Sequence, residues 1–157
     1  RVTETQCGAQ GYRYPESPFK LIGPKQVGKG GLAGMRFVCA LKKRHGDQIV
    51  IWPFETAISD SAKIVITEIF PRLFLKMAGH GPGKVISARD LKAVLQIFGA
   101  CSPPLEEFTD HQSDALISAA GLKYLCGHGT RVPAGISRPQ TMTRQARLRE
   151  GWIFGVK

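Results

Sequence analysis

Closely spaced cysteine pairs are missing from this sequence. Cys7, Cys39, Cys101 and Cys126 stand tens of residues apart with no CxxC spacing, whereas zinc sites usually bring their ligands in near pairs. The thiols are therefore read as reduced and structural, with Cys39 and Cys126 on apolar helical faces, although an even count leaves disulfides open. Reduced thiols imply an intracellular, cytoplasmic protein. Long apolar runs are missing too, since none approaches the ~18 residues that a membrane span needs. The chain opens at Arg1 on polar residues, without the apolar stretch of a secretory signal. Neither a GxSxG elbow nor a complete GxxxxGK[ST] loop occurs, which argues against a serine hydrolase and a Walker-type nucleotide site. Acidic residues are scarce, 12 against 22 Lys and Arg, for a net charge of +10. A field of that sign gathers anionic partners, of which nucleic acid is the commonest and an anionic membrane surface the second.

What is present suits a folded domain. In 157 residues, 43% are hydrophobic and 22% charged, enough apolar material for a real core. Residues 1–31 carry Gly, Pro and aromatic punctuation and read as irregular, with Gly28-Lys29-Gly30-Gly31 as a flexible helix entry. Leu32, Met35, Val38, Cys39 and Leu41 recur at three-to-four spacing and predict a helix over 32–45, with Lys42, Lys43 and Arg44 in its last turn. Residues 48–52 and 63–69 are β-branched runs that predict strands. Pro71 suits the first turn of a helix reaching Gly79. Ser87 caps a helix to Phe98, and Thr109 with Gln112 forms a capping box for a helix over 110–126. The small apolar face of that helix (Ala115, Leu116, Ala119, Ala120, Leu122) predicts close packing on a sheet. A Gly/Pro/Arg loop over 127–140, a basic helix over 143–150 and a final strand over 152–156 complete a layered α/β order.

Two acidic features stand out. Glu68 ends the most apolar strand, just before Pro71, and strand ends are where open α/β sheets place their sites. A carboxylate there demands solvation, a cation or a metal; Arg72 is the nearest cation in sequence. Asp110 and Asp114 lie four apart on one helix, so both face the same way and repel. Asp110 gains from the helix dipole, but Asp114 sits a turn deeper. A divalent cation turns such repulsion into shared ligation, and Mg²⁺ favours a couple of carboxylates plus water and phosphate.

Seven stretches occur in order: Arg1-Val2-Thr3-Glu4, Gln26-Val27-Gly28-Lys29, Gly34-Met35-Arg36, Trp52-Pro53-Phe54-Glu55, Glu68-Ile69-Phe70-Pro71-Arg72, Asp110-His111-Gln112-Ser113-Asp114-Ala115-Leu116, and Glu150-Gly151-Trp152-Ile153-Phe154-Gly155. Together they resemble an uncharacterised family of predicted nucleases with an RNase H-like fold. The helix with Asp110 and Asp114 is also similar to the last catalytic helix of Holliday-junction resolvases. The resemblance implies an RNase H-like three-layer α/β fold, with residues 1–157 as the C-terminal part of one nuclease domain. It further implies two-metal phosphodiester hydrolysis with Mg²⁺ or Mn²⁺, held by Glu68, Asp110 and Asp114 as catalytic and metal-ligating residues. The first strands of such a fold, one of which supplies a further Asp, have no counterpart here. A chain opening on Arg1 is thus expected to hold part of a site, completed by a missing N-terminal segment or a homo-oligomer.

The expected partner is DNA or RNA, with no membrane. Arg72, Lys42, Lys43, Arg44, Arg131, Arg138, Arg144, Arg147 and Arg149 are the expected backbone-contacting residues. The alternative is a non-enzymatic nucleic-acid-binding module on the same scaffold, since function lives in the site and not in the fold. A small-molecule phosphotransferase is a third reading, for which Gly-rich phosphate loops are not evident.

Overall fold

The amino-terminal segment, expected to be irregular, opens with a helix, Val2–Ala9 (α1). A computed structural model describes residues 1–24, 26–55, 61–127 and 139–157 of the chain. They fall into two compact units, Arg1–Glu68 with Ser137–Lys157, and Ile69–Ile136.

In the first unit the second helix, Val27–His45 (α2), starts five residues before the predicted Leu32. The glycines at 28, 30 and 31 form its opening turn and not a flexible entry. Gly28 is needed there: a Cβ would meet the carbonyl oxygens of Pro18 and Lys20 at 2.6 and 2.7 Å. Its N–H donates to the Lys20 carbonyl at 3.1 Å. Past a 3₁₀ turn at Gly46–Gln48, the strand Ile49–Ile51 (β1) pairs in parallel with Ile64–Ile66 (β2), Ile49 opposite Ile64. The predicted last strand is only one parallel bridge, Glu68 to Ile153, because the chain turns at once and Trp152 Nε1 donates to the Val156 carbonyl at 2.9 Å. The architecture is therefore helices with a small parallel sheet, compatible with the α/β class.

Trp152, Ile153 and Val156 are buried, as are Thr3 and Cys7 of α1, and belong to the unit's core. The Thr3 hydroxyl accepts from the Ile153 N–H at 3.1 Å, and the Gln10 amide exchanges hydrogen bonds with the Lys157 backbone. A short helix, Arg144–Arg149 (α6 in chain order), is capped by the Thr143 hydroxyl and buries Ala146. The apolar stripe of α2 is not covered: Leu32, Met35 and Cys39 are exposed, and only Gly28 of the helix is buried. Cys39 is thus not a buried thiol, and all four cysteines are free.

The second unit packs three helices, Pro71–Met77 (α3), Ala88–Ile97 (α4) and Asp110–Cys126 (α5). Local chemistry explains each start. Pro71 takes the first turn of α3, the Ser87 hydroxyl accepts from the Asp90 N–H, and Thr109 with Gln112 closes the capping box. Phe74, Leu91, Leu95 and Ile117 are fully buried, each contributing about 1.5–3 kcal/mol of apolar burial. Ser113, Ile117, Ser118, Ala120 and Gly121 are the buried residues of α5, which packs on α3 and α4 and not on a sheet, while Ala115 and Ala119 are exposed. Gly121 decides that contact: a Cβ there would lie 2.2 Å from the Phe74 ring.

Candidate functional site

The second unit carries a cavity of roughly 270 Å³ bounded by the start of α3, the Lys84–Val85 segment and the first two turns of α5. Phe70, Pro71, Leu75, Val85 and Ile117 line its apolar part, and Arg72, Lys84, Asp110, His111, Ser113 and Asp114 its polar part. The capping box sets where α5 begins, so Asp110 falls at its first position and Asp114 one turn on, both on the cavity side.

These two carboxylates differ in state. Asp110 is tied to the Lys84 ammonium. Asp114 makes no hydrogen bond or ion pair among the described residues, and its carboxyl is held above the usual range. Desolvation is the main cause and the Asp110 charge the second, with Arg72, His111 and Lys84 pulling the other way. Arg72 is steadied by donating from Nη1 to the Gly83 carbonyl at 2.5 Å. Ser113 is buried and donates to the Asp110 carbonyl at 2.9 Å, spending its hydroxyl on the helix. Lys84 escapes sequence reasoning, because its partner Asp110 is 26 positions away; its place in a His80–Lys84 loop between helices is the only local signal.

Glu68 belongs to the first unit, and its charge is met there by Arg1. The guanidinium donates to both carboxylate oxygens at 2.6 and 2.7 Å, to Glu4 Oε1 at 2.8 Å and to the Glu150 carbonyl at 3.0 Å. Arg1 is only 4% exposed at its side chain. Burial acts against its charge, but the hydrogen bonds and charges of Glu68 and Glu4 outweigh it and hold the guanidinium above its ordinary value. The Glu68 carbonyl accepts from the Phe154 N–H at 2.8 Å, which fixes the strand tip.

Of the expected cationic surface, Lys42 is half-buried and structural: its ammonium donates to the Ile49 carbonyl at 2.6 Å and pairs with Glu55 at 2.7 Å. Desolvation raises Glu55, yet the hydrogen bonds from Lys42 and the Ile51 N–H leave it below its ordinary value. Lys43, Arg44, Arg144 and Arg149 are exposed. Arg147 donates to the Phe54 carbonyl at 3.1 Å. Arg131 and Arg138 lie outside the described residues.

Compared with protein families, curated proteins and solved structures, the chain matches none. No group of three or more His, Cys, Asp or Glu placed to hold a metal ion occurs among the described residues. Asp110 and Asp114 supply the two carboxylates that a water-rich Mg²⁺ site asks of a protein, with Arg72 and Lys84 beside them for an anion. No helix among the described residues is long and apolar enough to cross a membrane.

Proposed function

We propose that this chain acts on nucleic acid as a metal-dependent nuclease of RNase H-like type, with the second unit's cavity holding the reacting phosphodiester. The observation that carries the reading is the Asp114 carboxylate, without a partner among the described residues and held above its ordinary range by desolvation and then by its neighbour Asp110, in a cavity that also presents Arg72, Lys84 and His111. Asp110 and Asp114 hold Mg²⁺ or Mn²⁺. When bound, the ion supplies an activated water and neutralises charge on the phosphate. Arg72 and Lys84 orient the phosphate oxygens, and Lys84 exchanges its partner Asp110 for the substrate. Val85, Leu75 and Ile117 exclude bulk water from one side. Glu68, held by Arg1 in the other unit, is not needed for this much of the reading.

Cleavage of labelled single-stranded and duplex DNA and RNA with Mg²⁺, Mn²⁺ or EDTA tests it. Metal-dependent cleavage should be lost, by about 100-fold or more, in Asp114→Asn. Persistent cleavage in that variant removes the site. A second reading, a binding module without hydrolysis, is favoured by the Lys84–Asp110 and Arg1–Glu68 pairs, which occupy two of the three expected acids. Salt-sensitive binding with no cleavage under any metal would establish it.

A further inference from the structure

A second recess, of roughly 610 Å³, lies wholly in the first unit and has no part in the hydrolytic reading. Met35, Trp52, Phe54 and Ile66 line its apolar part, and Lys43 brings charge to it, that of Lys42 being met by Glu55. Met35 is 69% and Phe54 43% exposed, whereas Trp52 is 5% exposed and its indole N–H has no acceptor among the described residues. That nitrogen is itself covered, so the surface the recess offers a ligand is that of Met35 and Phe54. Among the described residues the one acid lining the recess is Glu68, already neutralised by Arg1, and α2 contains no acid at all.

Aromatic and thioether surface beside a lysine fits an anion with flat apolar faces. A second copy of the chain fits poorly, because each carries +10. Single-stranded nucleic acid meets both requirements, with bases stacking on apolar faces and phosphates pairing with Lys, while a duplex keeps its base faces hidden. We propose that this groove binds a single-stranded segment of nucleic acid, a base against Phe54 and Met35 and a phosphate at Lys43. The proposal rests on the nucleic-acid part of the functional reading and not on hydrolysis.

The test is fluorescence anisotropy with a labelled oligo-dT of about twelve nucleotides, in EDTA, on the full chain. Met35→Glu and Phe54→Ala should each weaken binding about tenfold, and Lys43→Gln should lower the salt slope by about 0.7. Phe37→Glu is the control. Phe37 is also exposed on α2, at 64%, but does not line the groove, so the same change of charge should leave affinity within about twofold. Both glutamate variants replace exposed side chains, and circular dichroism checks that they fold. Equal weakening by Met35→Glu and Phe37→Glu overturns the groove, because charge alone then explains binding. Association with phosphatidylserine vesicles in place of the oligonucleotide overturns it as well. The two proposals fail separately: an Asp114→Asn chain that still cleaves sinks the Asp110–Asp114 site alone, and groove variants that bind normally sink the groove alone.

Discussion

A guanidinium sealed from water must be met by acceptors on every side, and Arg1 is met by Glu68, Glu4 and the Glu150 carbonyl. Removing the side chain takes the fork from Glu68 and one of two cationic partners from the buried Glu4, whose other oxygen keeps the Arg1 α-ammonium at 2.5 Å. Arg1→Ala should lower stability by about 1–2 kcal/mol in urea unfolding, less than for a fully buried pair because Glu68 is partly solvated and Glu4 keeps the α-ammonium. Arg1→Lys should recover only part of that, since an ammonium cannot bridge both Glu68 oxygens in a planar fork. A loss below about 0.5 kcal/mol would show the cluster to be ornamental. Asp114 tests the opposite sign. Its carboxyl titrates above the ordinary value, so the native state binds the extra proton more readily and stability falls as pH rises through that range. Asp114→Asn should therefore stabilise the chain by a few tenths of a kcal/mol at neutral pH, the scale of a like-charge pair one turn apart. The gain should vanish below the ordinary carboxylate range, where both forms are neutral. Thermal unfolding at neutral and acid pH decides it, and a gain that persists in acid would assign the effect to something other than charge.

Helix α5 shows how an element is decided by one face. Its sequence offers small residues all round, and the wrong ones look like the interface, because Ala115 and Ala119 are nearly as small as Gly121. Of these three, Gly121 alone has an aromatic ring where its Cβ would be. Gly121→Ala should cost about 1–3 kcal/mol by overpacking against the fully buried Phe74, despite the better helix propensity of alanine. A stabilised variant would mean that the Phe74 ring is free to move aside. Helix α2 presents the converse case: its three-to-four stripe is real, yet most of that stripe stays at the surface. Periodicity fixes which residues share a face but not whether anything covers them.

For the molecule as a whole, the charge of +10 is the property on which the proposed nucleic-acid reading rests most directly. Arg144 and Arg149 are exposed, and Arg147 keeps its hold on the Phe54 carbonyl. Replacing all three by Gln should flatten the salt dependence of oligonucleotide binding, the log–log slope falling by about 0.7–0.9 for each phosphate no longer neutralised. An unchanged slope would remove α6 from the interface.

Much of the secondary structure is legible from residues alone, because its causes are local. Pro71, Ser87, Thr109 and Thr143 each announce a helix start, and β-branched runs announce β1 and β2. The acidic pair of α5 is legible for the same reason, since four-residue spacing places Asp110 and Asp114 together whatever surrounds the helix. Partners distant in sequence are decided only by the tertiary structure. Arg1 meets Glu68 across 67 positions and Lys84 meets Asp110 across 26, and no local rule relates such residues. Burial is decided there too. Whether Cys39 is covered, or which side of α5 is the inner one, depends on close packing between elements, a property that no single segment possesses.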